Sequence, residues 1–241
     1  MPFDAAVILN NLDYLLWGRL AQGQPGGLLL SVLIAVAAGA LSLALGVPMG
    51  ILAWSRPGPL RRALFWWGDL IRGIPLIFVI FWVYFLGPIL VGGTMPSALS
   101  VILALAWFTS AAVMYSTVSG LDALPPGQRE AALASGMSDW QVLRWVLLPQ
   151  ALRNLTPSFV GLFVSLIKDT SLAFIVNVPE LTMVASQVNN RTQLYPTEIF
   201  LFTALLYFLL CGGLAWAARA LGGRRARIQP QDRAARTMPA R

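Results

Sequence analysis

Residues 26–54 read GGLLLSVLIAVAAGALSLALGVPMGILAW, and this stretch decides the fold class. It contains no charged side chain. At about 1.5 Å per helical residue it is long enough to cross a hydrocarbon core of roughly 30 Å. The stretch therefore predicts a transmembrane helix, in which Pro48 and the glycines Gly39, Gly46 and Gly50 indicate bends.

Four further apolar stretches follow the first, and each is long enough to cross a bilayer. The five predicted spans are residues 26–54, 73–91, 98–121, 157–179 and 199–221. The whole chain of 241 residues is 57% hydrophobic and only 11% charged, whereas soluble domains carry about 25% charged residues. We therefore expect an all-α membrane protein with five transmembrane helices in one membrane domain.

The ends of the chain differ from this apolar domain. Phe3, Val7, Leu12 and Leu16 fall near one helical face, so residues 1–24 are predicted to be an amphipathic segment on the membrane surface. No basic residue precedes Arg19, so the N-terminus lacks the charged region of a cleavable signal. Residues 25–221 form the transmembrane domain, and the Arg-rich residues 222–241 are predicted to be a mobile basic tail.

The arginines in the loops predict the orientation of the chain. Thirteen of them follow spans one, three and five, whereas only Arg19 and Arg191 lie on the opposite side. Cytoplasmic loops carry the excess of Lys and Arg in membrane proteins. The N-terminus is therefore predicted outside and the C-terminus in the cytoplasm. This rule also explains the net charge of +7, so no nucleic-acid partner is expected.

The composition excludes several kinds of chemistry. The chain has no histidine and a single cysteine, Cys211, so zinc sites, His-based triads and internal disulfides lack their residues. Its only lysine, Lys168, follows Ile167 in an apolar stretch, whereas a phosphate-binding loop needs glycines before its lysine. We expect no metal and no cofactor in this chain, and no ATP hydrolysis by it.

One loop, residues 122–156, is too long to be a simple connection and too apolar to be disordered. Pro125, Pro126 and Gly127 predict a turn, and the helix formers from Glu130 to Ala134 predict a short helix that Gly136 ends. Ser138 and Gln141 then form a capping-box pattern for a second helix. That helix is predicted to run to about Leu148, before Pro149.

This loop resembles the EAA loop found in permease subunits of bacterial ABC importers. The pattern EAA-x3-G-x9-I-x-LP is matched from Glu130 to Pro149, with Val146 in place of isoleucine. The stretches GGLLLSV (26–32), IRGIPL (71–76), PPGQREAA (125–132), LPQALR (148–153), KDTSL (168–172) and PEL (179–181) resemble the polar amino acid subfamily, which includes histidine, glutamate/aspartate and arginine permeases.

The resemblance implies a type I ABC importer permease fold, in which the first loop helix is a coupling helix that docks on a cytoplasmic ATPase subunit. It implies the following coupling residues: Gln128, Glu130, Ala131, Ala132, Gly136, Leu148 and Pro149. The implied partners are two ATPase subunits that hold ATP and Mg, a second permease subunit, an extracytoplasmic solute-binding protein and an amino acid. The alternative for the loop helix is packing against its own bundle alone.

Two charges interrupt the fourth predicted span. Lys168 and Asp169 follow Pro157 by eleven and twelve residues, about 16 Å along a helix and therefore near the bilayer centre. Each costs about 2.5–3.5 kcal/mol on insertion scales, so they require a protein-lined or hydrated environment. Either they line a substrate path together with Ser165, Thr170 and Ser171, or they form buried pairs with neighbouring helices.

Arg72 lies near the start of the second predicted span, three residues after Asp69, at a spacing that permits a helical ion pair. It either extends to the membrane interface or takes part in the path or its gate. Many relatives carry a glutamate and an arginine on span three, where this chain has Tyr115 and Val118. This departure favours a heterodimer whose second permease keeps the charged pair.

Two other functions remain as alternatives. Ser165 and Lys168 have the S-x-x-K spacing of some serine hydrolases, although a second lysine is missing. A passive channel or scaffold would leave the EAA pattern unexplained. The polar segment 180–196 is expected either to meet the binding protein or to cover a gate. We therefore expect an importer subunit that works by alternating access, with glutamate or aspartate as the first candidate substrate.

Overall fold

The computed structural model of the chain describes residues 6–226, and side chains as far as residue 220. Within these residues the α-helices are α1 (Ala6–Trp17), α2 (Gly27–Ser55), α3 (Pro59–Gly73), α4 (Leu76–Val91), α5 (Ser97–Asp122), α6 (Pro126–Ala134), α7 (Asp139–Gln141), α8 (Leu148–Asp169), α9 (Leu181–Thr192) and α10 (Pro196–Ala226). Tighter or wider turns form Leu20–Gln22, Val142–Leu147 and Thr170–Val176. Two strands, β1 (Gly18–Arg19) and β2 (Gln24–Pro25), make a small antiparallel hairpin.

Four helical segments are long and apolar enough to cross a membrane by themselves. They are α2, α5, the continuous segment Asp139–Val176, and α10 as far as Ala220. Helices α3 and α4 make a fifth crossing if they are counted as one span, and they meet at an angle of 99°. The expectation of five helical crossings agrees with this count, although the second crossing is bent.

The second span begins later than the sequence predicted. It was expected from residue 73, whereas α4 begins at Leu76 and the preceding residues belong to α3. The cause is Pro75, because a proline disfavours the helical conformation in the residue before it. Ile74 accordingly has φ −97° and ψ 133°, which is an extended conformation that turns the chain between α3 and α4.

The fourth span begins much earlier than predicted. It was expected from residue 157, but α8 starts at Leu148 and passes through Pro157 without ending. A proline inside a helix removes one hydrogen bond, here to the carbonyl of Arg153. Arg153 and Pro157 are both exposed, so this carbonyl lies at the surface of the helix and the helix continues.

The pairing of α2 with α5 forms the centre of the molecule. Glycines on α2 allow the two helices to approach closely. A β-carbon on Gly46 would lie 2.6 Å from the carbonyl oxygen of Ser110, and one on Gly50 would lie 2.8 Å from that of Met114. The sequence predicted bends at these glycines, and the structure adds their packing role. The buried core continues from α2 and α5 onto α4 and α8 through Ile34, Ile80, Leu105 and Leu166.

The N-terminal segment packs against the other helices at one end of the bundle. Leu15 of α1 is fully buried in a cluster with residues of α9 and α10, and Val7 contacts the same cluster. The predicted apolar face included Val7, Leu12 and Leu16 but omitted Leu15. Phe3 lies outside the described residues. Helix α1 is therefore part of the bundle as well as an amphipathic segment.

The opposite end of the bundle holds a second apolar cluster. Leu121 of α5 packs there with Ala132 of α6 and Ala151 of α8, together with Val142, Leu143 and Leu147. At the end of the chain, α10 extends to Ala226, so the first residues of the predicted tail are helical. Residues 227–241 lie outside the described part of the chain.

Candidate functional site

We call residues 126–147, with α6 and α7, the EAA hairpin. Its first helix begins at Pro126, whereas the sequence predicted a turn there and a helix from Glu130. A proline suits the first helical position, because its φ is already helical and its missing N–H would be unpaired anyway. The two prolines therefore start the helix, and Gln128 and Glu130 both lie within α6.

Gly136 ends α6, as predicted. Its φ is +84°, in the left-handed region that favours glycine. The Gly136 N–H donates to the carbonyl of Leu133 at 3.0 Å, and the Met137 N–H donates to that of Ala132 at 3.2 Å. These two bonds make a Schellman motif, which satisfies the last carbonyls of the helix and turns the chain sharply.

The predicted capping box at the start of α7 is present. The Gln141 N–H donates to Ser138 Oγ at 3.4 Å, and the Ser138 N–H donates to Gln141 Oε1 at 2.8 Å. The two sides of the turn are also joined by an ion pair between Arg129 and Asp139, with 2.6 Å between Nη2 and Oδ1. Local hydrogen bonds therefore fix the angle between α6 and α7.

The predicted end of the second loop helix at Leu148–Pro149 is wrong. Residues Val142–Leu147 form a π-helical stretch that leads directly into α8. The Leu148 N–H donates to the carbonyl of Leu143, five residues back. A wide turn of this kind is one way in which a helix accommodates a local disruption, here the missing N–H of Pro149. Helices α7 and α8, together with the π-helical stretch between them, therefore form one continuous helical rod.

The two faces of α6 have different surroundings. Ala132 is buried and Leu133 packs beside it in the cluster with Leu121. Glu130, Ala131 and the following Ala134 are exposed. Packing against the bundle thus occupies one face only, and the opposite face of small residues and one carboxylate is open to a partner.

Gln128 is a polar residue whose hydrogen bonding is not satisfied by this packing. Its side chain is half-buried, and Oε1 has no hydrogen-bond partner in the described part of the chain. A buried acceptor without a donor costs free energy. Gln128 therefore retains an unused acceptor at the start of α6.

Lys168 and Asp169 lie at the end of α8, in its last turn. The rod extends about 30 Å from Leu148 to Lys168, so the predicted depth, counted from Pro157, does not apply. Lys168 is exposed and Asp169 is half-buried. In the described residues the only ion pair is Arg129–Asp139, so neither charge is paired within this part of the subunit.

The polar residues around this pair do not form one continuous stripe. Ser165 is exposed, one turn before Lys168, and Ser171 is half-buried. Thr170 is fully buried, and its hydroxyl donates to the carbonyl of Ile167 at 2.7 Å. The expected extension of the stripe through Thr170 is therefore wrong. No hydrogen bond joins Ser165 to Lys168 within the described residues, so the hydrolase alternative gains no support from the geometry.

Arg72 lies in the last turn of α3 rather than at the start of the second span. The ion pair that Asp69 and Arg72 could form is absent from the described residues. Both side chains contact Tyr115 of α5 instead. The Tyr115 hydroxyl donates to Asp69 Oδ1 at 2.6 Å, and the Arg72 guanidinium lies 5.2 Å from the centre of the Tyr115 ring. Tyr115, which the sequence marked only as a missing glutamate, therefore links α3 to α5.

Glu180 was expected in the polar outer segment, but it is fully buried. It caps α9, because its carboxylate accepts the N–H groups of Thr182 and Met183 at 2.9 Å each. Its Oε2 also accepts the hydroxyl of Tyr207 at 3.0 Å and that of Ser31 at 3.4 Å. Burial raises the pKa of Glu180 to about 7, although the hydrogen bonds from Thr182, Met183 and Tyr207 lower it.

The rest of the segment 180–196 is more exposed. Asn190, Arg191 and Gln193 are open to solvent, whereas Gln187 hydrogen-bonds to the hydroxyl of Tyr14 on α1. Because Glu180 itself is fully buried, it is unsuited to direct contact with a second protein. The sequence signal that could have identified its role is its place before α9, since an acidic residue there is a good N-cap.

A cavity of about 240 Å³ lies between α2, α5, α8 and α10. Its lining is mostly apolar and includes Leu43, Phe163 and Leu214, with hydroxyls only from Ser42, Thr109 and Thr156. An amino acid zwitterion needs charged or strongly polar contacts. The cavity supplies few of them, and neither Lys168 nor Asp169 lines it, so it does not fit such a ligand.

Residues 46–227 match the model of a family described as binding-protein-dependent transport system inner membrane component. The match covers most of the chain, including every part of the EAA hairpin. The chain belongs to this family of transport permeases.

Named relatives narrow the family to amino acid transport. The permease is 36% identical over 197 residues to a probable glutamine ABC transporter permease protein of Bacillus subtilis, covering 81% of this chain and 90% of the relative. It is 29% identical over 217 residues to the glutamate/aspartate import permease protein of Escherichia coli, covering 86% of this chain and 92% of that one. The resemblance to polar amino acid ABC permeases is confirmed.

A solved structure supports the fold of the permease. The crystal structure of an amino acid ABC transporter with histidines aligns with a TM-score of 0.80, covering 93% of this chain and all of the matched chain at 23% identity. The predicted all-α, type I importer fold is confirmed. The protein is a multi-pass inner membrane transport subunit and not an enzyme, since in such transporters separate subunits hydrolyse ATP.

Proposed function

We propose that this permease translocates a polar amino acid by alternating access, with glutamate or aspartate as the first candidate. Two cytoplasmic ATPase subunits, which hold ATP and Mg, drive it, and an extracytoplasmic solute-binding protein delivers the substrate. The chain itself needs no cofactor. The exposed face of α6, around Glu130 and Ala131, carries this proposal, because it is a free surface on a hairpin fixed to the bundle.

The connection between the EAA hairpin and α8 supports a mechanical role. The rod from Asp139 to Asp169 is continuous and about 45 Å long. Its first turn is closed by the capping box and is tied to α6 by the Arg129–Asp139 ion pair. Movement of α6 by an ATPase subunit is therefore transmitted along α8 to Lys168 and Asp169 at the other end.

The substrate path is proposed to include the end of α8. Lys168 offers a cation for a substrate carboxylate, and Asp169 offers an anion for the ammonium group. Arg72 is a second cation for the path or its gate. Lys168 is exposed and unpaired within the described residues, and an unpaired charge facing lipid is costly. A second permease subunit facing this one would enclose the charge in a shared path.

The partner permease is proposed to be a different chain. Tyr115 and Val118 occupy the positions where many relatives carry charges, so a partner that keeps the pair would supply them. A functional complex that contains only this permease would contradict the heterodimer.

The names of the relatives support both acidic and amide substrates, since glutamine and glutamate/aspartate transporters are among them.

The test of the proposed function uses the complete complex in proteoliposomes. Glu130→Arg reverses the charge on the free face of α6, so ATP hydrolysis stimulated by the substrate and uptake should both fall at least tenfold. Asp13→Arg makes the same change on the exposed side of α1 and should leave both rates unchanged.

Uptake is measured with a panel of labelled amino acids that includes glutamate, aspartate, glutamine, arginine and histidine. Normal coupling in Glu130→Arg would contradict the role of α6. Uptake of a basic amino acid alone would contradict the proposed substrate class while leaving the coupling role intact.

A further inference from the structure

Helix α3 has an exposed apolar stripe that faces away from the bundle. Its core face is the side with Gly68 and Ile71, which are buried. A β-carbon on Gly68 would meet Tyr115 of α5 at 2.8 Å, so this face is in close contact with α5. Ala63, Trp66 and Leu70 lie on another side of the helix, at spacings of three and four residues. All three are exposed, Trp66 to 69%.

Three arginines lie at the beginning of this helix. Arg56 precedes α3, and Arg61 and Arg62 lie in its first turns, with no acidic residue between positions 56 and 62. None of them forms an ion pair within the described residues, where the only such pair is Arg129–Asp139. Like charges repel, and the first turn of a helix is itself the positive end of its dipole. An anion from outside the chain would stabilise this arrangement.

The orientation of α3 brings its apolar stripe and the three arginines to the same depth in the membrane. Helix α4 consists of 16 residues without a charge, whereas α3 carries arginines and Asp69, so we place α4 across the membrane. Because α3 leaves α4 at 99°, it runs roughly parallel to the membrane plane. An amphipathic helix in this orientation, with a tryptophan on its apolar side and arginines at its beginning, is suited to the boundary between headgroups and acyl chains.

We propose that α3 is a lipid-binding surface helix, with Trp66 and Leu70 among the acyl chains and the three arginines on the phosphates of anionic phospholipids. Charge complementarity selects this occupant. A symmetric contact with a second copy of the chain would bring the same surface of both copies together, and with it their arginines. Since Asp69 and Arg72 of the same helix contact Tyr115, the bound lipid holds the α3–α4 bend against α5.

The first test measures lipid binding to the purified full-length chain by thermal unfolding. Short-chain phosphatidylglycerol should raise the Tm at lower concentration than phosphatidylcholine does. Arg56→Gln with Arg62→Gln removes two exposed cations and should weaken the response to phosphatidylglycerol about fivefold for each arginine. The response to phosphatidylcholine should not change.

The matched control is Arg19→Gln with Arg191→Gln, which removes two exposed arginines at the other end of the bundle. It should keep the full response to phosphatidylglycerol. An unchanged response in the Arg56/Arg62 variant would overturn the proposal, as would an equal loss in the control.

The second test locates α3 relative to the bilayer. A nitroxide is attached to Trp66→Cys in a Cys211→Ser background, and the full chain is placed in vesicles that contain phosphatidylglycerol. The label should be accessible to oxygen and shielded from a water-soluble nickel chelate, whereas a label at Trp140→Cys on the EAA hairpin should meet the chelate. Shielding of position 66 from both reagents would show a protein partner there and would overturn the proposal. Access of the chelate to position 66 would show that the site is in water and would also overturn it.

Discussion

Glu180 shows at the scale of one residue how the structure changes the meaning of a charge. Its carboxylate joins α9 to Ser31 of α2 and Tyr207 of α10, and it is completely removed from solvent. Burial disfavours the charged form, which is why the pKa rises. The hydrogen bonds instead favour the carboxylate, so the group is balanced near neutral pH.

This balance predicts that stability depends on pH through Glu180. Its pKa rises from an ordinary 4.5 to about 7 in the folded protein, so the fold favours the protonated form. The stabilisation is complete below about pH 4.5 and is lost as the pH rises through 7. In the wild-type protein the unfolding free energy should therefore decrease by on the order of 3 kcal/mol over this pH range. In the Glu180→Gln variant this decrease should be absent.

The measurement is thermal unfolding of the purified permease at several pH values between 5 and 8. Asp13→Asn, on the exposed side of α1, is the control and should keep the wild-type dependence. A Glu180→Gln variant whose Tm still falls with pH by the wild-type amount would show that other groups cause the effect.

Tyr115 is the second residue whose role depends on the tertiary structure. Its hydroxyl contacts Asp69 Oδ1 at 2.6 Å and the carbonyl of Phe65 at 2.9 Å, both on α3. Tyr115→Phe keeps the ring under Arg72 but removes these contacts. The unfolding free energy should fall by about 1–3 kcal/mol, because the bond to the Asp69 carboxylate is charge-assisted.

The Tm in detergent measures this loss. Tyr84→Phe is a matched control, since its hydroxyl makes no hydrogen bond within the described residues and its ring packs on Phe85. An equal Tm decrease in both variants would assign the effect to the loss of any hydroxyl rather than to the link between α3 and α5.

At the scale of elements, the EAA hairpin depends on a single backbone conformation. Gly136 has φ +84°, yet a β-carbon there would meet no atom within 4 Å. Gly136→Ala should therefore cost only conformational energy, about 1–2 kcal/mol. That strain should open the Schellman turn and lower the ATP hydrolysis that substrate stimulates, while the rest of the bundle stays folded.

Gly127→Ala is the control on the same helix, because Gly127 has an ordinary φ and open space around it. It should leave coupling unchanged or stabilise α6 slightly, since alanine is the better helix former. The ratio of uptake to ATP hydrolysis in proteoliposomes measures both variants. Full coupling in Gly136→Ala would mean that the turn tolerates another geometry.

Elements whose signals lie in neighbouring residues were predictable. The spans over α2 and α5, the end of α6 at Gly136 and the capping box of α7 all depend on local composition and local hydrogen bonds. The start of α8 was not predictable, because the effect of Pro149 depends on whether the preceding turn widens. The packing of α1 was missed since most of the residues that bury Leu15 lie far along the chain, on α9 and α10.

At the scale of the whole molecule, the distribution of arginines predicts an N-terminus outside and a C-terminus in the cytoplasm. Single cysteines in a Cys211→Ser background test this. A membrane-impermeant maleimide should label Asn190→Cys, at an exposed position in the last turn of α9, on intact cells. It should label Ser135→Cys, on the EAA hairpin, only after lysis. The reverse pattern would contradict the orientation and the proposed docking of ATPase subunits on α6.

The sequence by itself determined that this protein crosses a membrane several times and carries an EAA hairpin, because these properties depend on composition and on residues close together in the chain. The tertiary structure decided the burial of Glu180, the link from Tyr115 to α3 and the 99° angle of the bend that Pro75 introduces before α4. Each of these depends on contacts between residues tens to more than a hundred positions apart, or on the direction in which packing turns a helix. No local pattern contains that information.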